Sequence, residues 1–198
     1  MKIIGICGRS GSGKSTFAAL FKKRNIPVLD CDEIYHDLIN SPSPCLEKIA
    51  ERFGKHLIRN NSLDRAELRK IVFQDSALLK ELNQISHHYV LIELFKNIKE
   101  FQANGKAACV IDAPMLFEAG LEKWCDITCC VVAKKELLLD RICKRDHITK
   151  NDAEIRLHHQ IESDELLKKC TIVVHNNGDL GELDNQCKQI LDQLNLTI

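Results

Sequence analysis

Residues 8–15 read Gly8-Arg9-Ser10-Gly11-Ser12-Gly13-Lys14-Ser15, and the fold turns on how this octapeptide is understood. It satisfies GxxxxGK[ST], the P-loop pattern. Glycines let backbone N–H groups converge on phosphate oxygens with no Cβ in the way. The helix that follows offers unpaired N–H groups and the positive end of its dipole. Lys14 adds a mobile charge for the β and γ phosphates, and the Ser15 hydroxyl is a hard oxygen ligand for Mg²⁺. A glycine- and serine-rich surface loop would share the composition but not the setting. Here an apolar run, Ile3–Cys7, leads in, and a helical pattern, Lys14–Arg24, leads out.

Working outward, the same alternation continues. Strands are expected at Ile3–Cys7, Pro27–Leu29, Ala108–Ile111, Ile127–Val132 and Thr171–Val174. They are apolar at nearly every position, as strands buried on both faces of a parallel sheet must be. Helices are expected at Lys14–Arg24, Asp64–Phe73, Ser76–Asn104, Lys135–Arg145, Asp152–Ile161 and Leu180–Leu194. The pattern predicts an α/β domain, one five-stranded parallel sheet with helical crossovers, over residues 1–198. Two excursions stand out. One, at about 33–106, is mostly helical and contains the turn-like Ser41-Pro42-Ser43-Pro44; the other, at about 141–168, is crowded with Arg, Lys, Asp and His.

The composition narrows the function classes. The chain has 198 residues, 44% of them hydrophobic, and its 28 basic residues balance 28 acidic ones. That suits one domain with a full core and gives no global reason to expect nucleic acid or a membrane surface as partner. Ten cysteines are many, but there is no CxxC and no histidine at zinc-finger spacing. The expectation is reduced cysteines packed as small hydrophobes in a cytoplasmic protein. Only five residues separate Lys2 from Gly8, so no signal-peptide h-region is expected, and no apolar run is long enough to span a membrane.

A P-loop alone does not choose between switch, ATPase and kinase. A GTPase would usually carry NKxD; Cys143-Lys144-Arg145-Asp146 lacks the asparagine. Val110-Ile111-Asp112-Ala113 supplies one acid where a motor ATPase would usually show two. A small-molecule kinase needs a segment that holds the acceptor and a cationic segment that closes over the phosphates and excludes water. The two excursions suit those tasks, and Arg141 and Arg145 are one helical turn apart. Residues 27–37, PVLDCDEIYHD, end the second strand in acids. If the extended backbone persists, Asp30 and Asp32 point one way and Cys31 the other.

In order and spacing, further segments resemble the dephospho-CoA kinase family, nucleoside-monophosphate-kinase-like P-loop proteins. They are Asp30-Cys31-Asp32 with His36, Leu63-Asp64-Arg65, Val72-Phe73, His87-His88-Tyr89-Val90, Pro114-Met115-Leu116-Phe117-Glu118, Arg141, Arg145-Asp146, Gln160 and Asn176-Asn177-Gly178. The departures are small: Cys31 for alanine, His88 for proline, Met115 for leucine, and Cys170-Thr171 for Ala-Asp.

The resemblance implies a P-loop kinase core with a substrate-binding helical insertion and a small helical lid. It implies ATP on Gly11, Ser12, Gly13, Lys14, Ser15 and Thr16, with Mg²⁺ on Ser15. Asp32 would orient or deprotonate the ribose 3′-hydroxyl of dephospho-CoA, Lys14 would stabilise transferred charge, and Arg141 with Arg145 would close over ATP. Asp30 either orders Mg²⁺ waters or caps the strand–helix turn. Asp112 is a candidate outer Mg²⁺ group. Asn177, with Asn176, would lie near the adenine, though Asn-Asn-Gly is also a good turn. His36, Arg65, His87 and Glu118 are the substrate-binding candidates, with a packed helix-end histidine and a helix cap as the plain readings of His87 and Glu118. The alternatives are another small-molecule or nucleoside monophosphate kinase of this fold, and a nucleotide-binding switch.

Overall fold

The computed structural model describes residues 1–158, 160 and 163–196. It divides into two compact units, one of Met1–Val28 with Phe101–Ile198 and one of Leu29–Glu100. The strands are β1 (Lys2–Cys7), β2 (Val28–Asp30), β3 (Ile58–Arg59), β4 (Ser62–Leu63), β5 (Ala108–Asp112), β6 (Ile127–Val132) and β7 (Ile172–His175). Five of them form one sheet in the order β2-β5-β1-β6-β7.

In the first unit β1 lies parallel between β5 and β6, with Ile4 opposite Val110 on one side and Ile127 on the other. β5 is buried at all five positions, as a strand covered on both faces should be. Helices α1 (Lys14–Lys22) and α9 (Leu180–Gln193) pack Phe17, Leu20, Phe21, Leu183, Cys187 and Ile190 into one core with Ile4, Ile6, Val110 and Cys129. Phe17 and Phe21, one turn apart, meet edge to face with ring centroids 5.2 Å apart. A separate small core joins α6 (Lys135–Asp146) to α7 (Lys150–His158) through Leu138, Leu139, Ile142, Ala153 and Leu157. The short α8 (Ser163–Lys169) leads into β7, while the expected helix end at Ile161, within the expected lid, lies outside the described residues.

The second unit is helical with one small hairpin: α2 (Cys31–Asn40), α3 (Pro44–Phe53), β3, β4, α4 (Arg65–Val72) and α5 (Ser76–Ala103). Its core gathers Ile39, Leu46, Ile49, Phe53, Leu57, Leu68, Val72 and Leu82. Asn60 and Asn61 make the β3–β4 turn at φ 52° and 61°, a left-handed pair that asparagine tolerates and two-residue hairpins favour. The Ser-Pro segment is more than a turn. Ser43 caps α3 by accepting from the Leu46 N–H at 3.0 Å, and Pro44 takes the first helical position, where its missing N–H costs nothing.

The extended Asp30–Asp32 reading needs correction. Cys31 is already helical, so Asp30 and Asp32 do not share a strand face. Asp30 is the N-cap of α2, its carboxylate accepting from the N–H groups of Asp32 at 2.9 Å and Glu33 at 3.2 Å. The capping energy of a carboxylate at a helix start outweighs one more residue of strand at the end of so short a β2. The ten cysteines are all reduced thiols, six of them buried. Burial pushes the Cys109 and Cys187 thiols up to about 11, which fits the reading of inert packing groups there.

Asp30→Ala should lower the unfolding free energy by about 1 kcal/mol in urea titration, and Asp30→Asn should keep most of it. Equal losses from both would show that charge, and not the cap, is what Asp30 supplies.

Candidate active site

The loop between β1 and α1 is shaped by what its glycines exclude. Gly8 (φ 144°) and Gly13 (φ 93°) occupy backbone regions closed to most side chains. A Cβ on Gly8 would strike the carbonyl oxygen of Val131, and one on Gly13 would land on the amide nitrogen of Asn176. The loop folds on itself through Ser12 N–H to Arg9 O at 3.1 Å and enters α1 through Phe17 N–H to Gly13 O at 2.9 Å. Lys14 Nζ spans the loop to donate to Gly8 O at 2.9 Å. No acid stands in the first turn of α1, so the positive end of its dipole is not neutralised from within.

Two other segments of the first unit fasten the loop. Asn176, buried just after β7, donates to Ser12 O at 2.7 Å. Arg141, from α6, places Nη1 at 3.3 Å from Gly11 O and 3.4 Å from Ser12 O, and Nη2 at 3.1 Å from Asn176 O. Arg145, one turn on, donates to Ser10 Oγ at 3.1 Å and grips Asp146 with Nε at 2.7 Å and Nη2 at 2.9 Å. That pairing, joined by Arg156, holds the Asp146 carboxyl down at about 2. Gln160 completes the contact by accepting from the Ser10 N–H at 2.9 Å, and Arg9 donates to the Leu157 carbonyl. The cationic excursion therefore lies on the P-loop.

The remaining expected residues fall as follows. Gly11 and Ser12 are within the fastened loop, and Ser15 and Thr16 lie exposed in the first turn of α1. Asp112 is buried at the C-terminal end of β5. Glu118 is exposed in the turns after it. Asn177 Oδ1 accepts from the Lys134 N–H at 2.8 Å, anchoring the start of α6, while its neighbour Asn176 is the one that touches the loop. Nothing in the Asn-Asn-Gly string ranks one asparagine over the other; the alternation of β7, where Val174 is buried and His175 exposed, continues to a buried Asn176 and an exposed Asn177.

In the second unit Asp32 is exposed in the first turn of α2. His36 follows one turn later, its Nδ1 3.8 Å from the Asp37 carboxylate. Arg65 is exposed at the first position of α4, which Asp64 caps through the Glu67 N–H at 3.0 Å. His87 is half-buried in α5. The sequence reading missed Tyr35 and Ser86. Burial raises the Tyr35 phenol, and the nearby Ser86 hydroxyl and Arg65 charge oppose that rise, so α2, α4 and α5 bring these three side chains near one another. The signal was available: Tyr35 lies four residues before the fully buried Ile39, on the packed face of α2.

The donor set fits a magnesium–nucleotide. The glycines let the loop pack against Val131 O and Asn176 where a Cβ would collide, the Lys14 ammonium lies across the loop on Gly8 O, and the Ser15 hydroxyl is a hard oxygen on an open helix turn.

Known proteins resemble this chain over nearly its whole length. The family model for dephospho-CoA kinase matches residues 2–182. The dephospho-CoA kinase of Lactobacillus johnsonii is 33% identical over 192 residues, covering 96% of this chain and 97% of that one. The crystal structure of TT1252 from Thermus thermophilus superposes with TM-score 0.83 at 30% identity, covering 98% of this chain and 97% of that one. Dephospho-CoA kinase from Campylobacter jejuni superposes with TM-score 0.72 at 26% identity, covering 98% of each chain.

Asn176→Ala leaves the Ser12 carbonyl without its buried donor and should cost about 1–3 kcal/mol of stability, with a matching fall in ADP affinity by calorimetry. Asn177→Ala should spare ADP affinity. Equal effects on ADP binding would remove the distinction drawn between the two.

Proposed function

This chain belongs to the dephospho-CoA kinase family, and we propose on that premise that it transfers the γ-phosphoryl group of ATP to the ribose 3′-hydroxyl of dephospho-CoA. The products are coenzyme A and ADP, and the step is the last of coenzyme A synthesis. The observation that carries the reading is Arg141 seated on the Gly11 and Ser12 carbonyls. It puts a lid guanidinium against the loop that must cradle the phosphates. Among the described residues no helix is long and apolar enough to cross a membrane. Ten reduced cysteines suit a reducing compartment, and we place the reaction in the cytoplasm.

The residues divide the work by chemistry. Backbone N–H groups of residues 11–16 bind the phosphate oxygens, aided by the dipole of α1. The Lys14 ammonium, resting on Gly8 O, exchanges that carbonyl for a phosphate oxygen and offsets the charge that develops during transfer. Ser15 would hold Mg²⁺, which when bound neutralises charge on the β and γ phosphates. The 3′-oxygen forms its bond to γ-phosphorus as the bond from γ-phosphorus to the bridging oxygen breaks, and ADP departs with those electrons. The hydroxyl proton passes to the Asp32 carboxylate. Transfer through a loose transition state makes orientation of the hydroxyl by Asp32 worth more than early deprotonation. Arg141 and Arg145 hold the lid down and keep water from the γ-phosphate, which would otherwise be hydrolysed. His36, Arg65 and His87 contact dephospho-CoA, with the Arg65 fork suited to its pyrophosphate, and Glu118 borders the acceptor.

A nucleoside monophosphate kinase would present arginines, and not a carboxylate, to its acceptor phosphate; Asp32 favours a hydroxyl acceptor. Coupled ADP-release assays should show strong stimulation by dephospho-CoA and little by AMP or CMP. Stimulation by the nucleotides alone would overturn the assignment. Asp32→Asn should lower kcat by about 10²–10⁴-fold with ATP affinity unchanged. Arg141→Ala should raise KM for ATP or lower kcat; wild-type turnover in either variant would remove that residue from its role.

A further inference from the structure

Directly behind the P-loop three thiols meet. Cys7 is the last residue of β1, and Cys130 is its partner across the parallel β1–β6 register. Cys170 arrives from the end of α8, its N–H bonded to Leu166 O at 3.1 Å. The next residue fixes its place: Thr171 N–H donates to Thr128 Oγ1 at 3.0 Å, and Thr128 N–H donates to Thr171 Oγ1 at 3.2 Å. The three sulfurs lie within 4.8 Å of one another, and Cys7 Sγ is 3.3 Å from Cys170 Sγ. Cys7 and Cys130 are fully buried, while Cys170 is only partly so. Among the described residues this is the one group of three histidine, cysteine or carboxylate side chains placed to share an ion.

We propose that Cys7, Cys130 and Cys170 form a binding site for one thiophilic d¹⁰ cation of the Zn²⁺ class. Soft thiolates select such ions over Mg²⁺, so the site does not compete with Ser15 for the nucleotide's metal. With Zn–S near 2.3 Å, sulfurs around one ion stand roughly 3.7–4 Å apart, and small side-chain rotations reach that spacing from the one observed. Packing alone does not require three sulfurs here, since any small apolar side chains would fill the space. The partly exposed Cys170 gives the ion its entry, and a three-thiolate set leaves a fourth coordination position for water. The ammonium of Lys14 acts on Cys130 and offsets the negative charge of the ligand set. Cys7 precedes Gly8, whose backbone is pressed against Val131 O, so the ion would sit against the fixed root of the phosphate loop.

The test uses the full chain, kept reduced by a phosphine, with Cd²⁺ as the spectroscopic probe. Ultraviolet thiolate-to-cadmium charge-transfer absorption should saturate at one equivalent, and Zn²⁺ should displace it. Cys170→Ser and Cys170→Ala should each lose that saturating band while keeping the wild-type far-ultraviolet circular dichroism. Cys143→Ser, in the lid helix outside the trio, should retain it. In the wild-type chain one equivalent of Zn²⁺ should slow alkylation of Cys170 several-fold, read by mass spectrometry, and leave Cys143 unaffected. An absent or unsaturable band, a band that survives both Cys170 substitutions, or an alkylation rate at Cys170 indifferent to Zn²⁺ would overturn the proposal.

Discussion

The P-loop must expose its amide groups inward, and that leaves its carbonyls turned outward and in need of donors. The structure answers this with Asn176 and Arg141, which both donate to Ser12 O, and with Arg141 again at Gly11 O. Segments distant in sequence thus converge on one turn of backbone: Asn176 lies 164 residues from Ser12, and Arg141 lies 129 from it. An unmade buried hydrogen bond costs more than a made one contributes, so the buried Asn176–Ser12 fastening is close to obligatory.

The same fastening suits phosphoryl transfer. A kinase has little covalent chemistry to perform and depends on placing charge and excluding water. Arg141 and Arg145 lie on the P-loop through backbone carbonyls and the Ser10 hydroxyl, contacts that a phosphate can replace at modest cost. Arg145 is also steadied by Asp146, which fixes the orientation of its guanidinium. Two arginines on the phosphate loop suit an enzyme that must spare ATP from hydrolysis.

The sheet was legible because its strands are apolar throughout, and β6 spans the expected Ile127–Val132. Helices α1, α4, α5, α6 and α9 were legible from their periodicity, with ends differing by a residue or two where caps and fraying decide. What escaped was local and polar. A short β2 gives way to α2 because Asp30 finds two N–H groups to cap, a contest that alternation alone cannot judge. The hairpin at Asn60-Asn61 joins strands too short to show a period. The choice of Asn176 as the side chain that touches the loop rests on the face of β7, and the Tyr35–Ser86 pair on the packing of two helices distant in sequence. The three-thiol group is likewise a product of strand register, which brings Cys7 beside Cys130 with no spacing signature in the chain.

The central claim is that phosphate passes from ATP to a hydroxyl. Phosphorus NMR of the full chain with ATP, Mg²⁺ and dephospho-CoA tests it most directly. The account predicts a new phosphomonoester resonance at the ribose 3′ position, growing in step with ADP, with little inorganic phosphate. A phosphoanhydride product, or inorganic phosphate released at the same rate with and without dephospho-CoA, would contradict it.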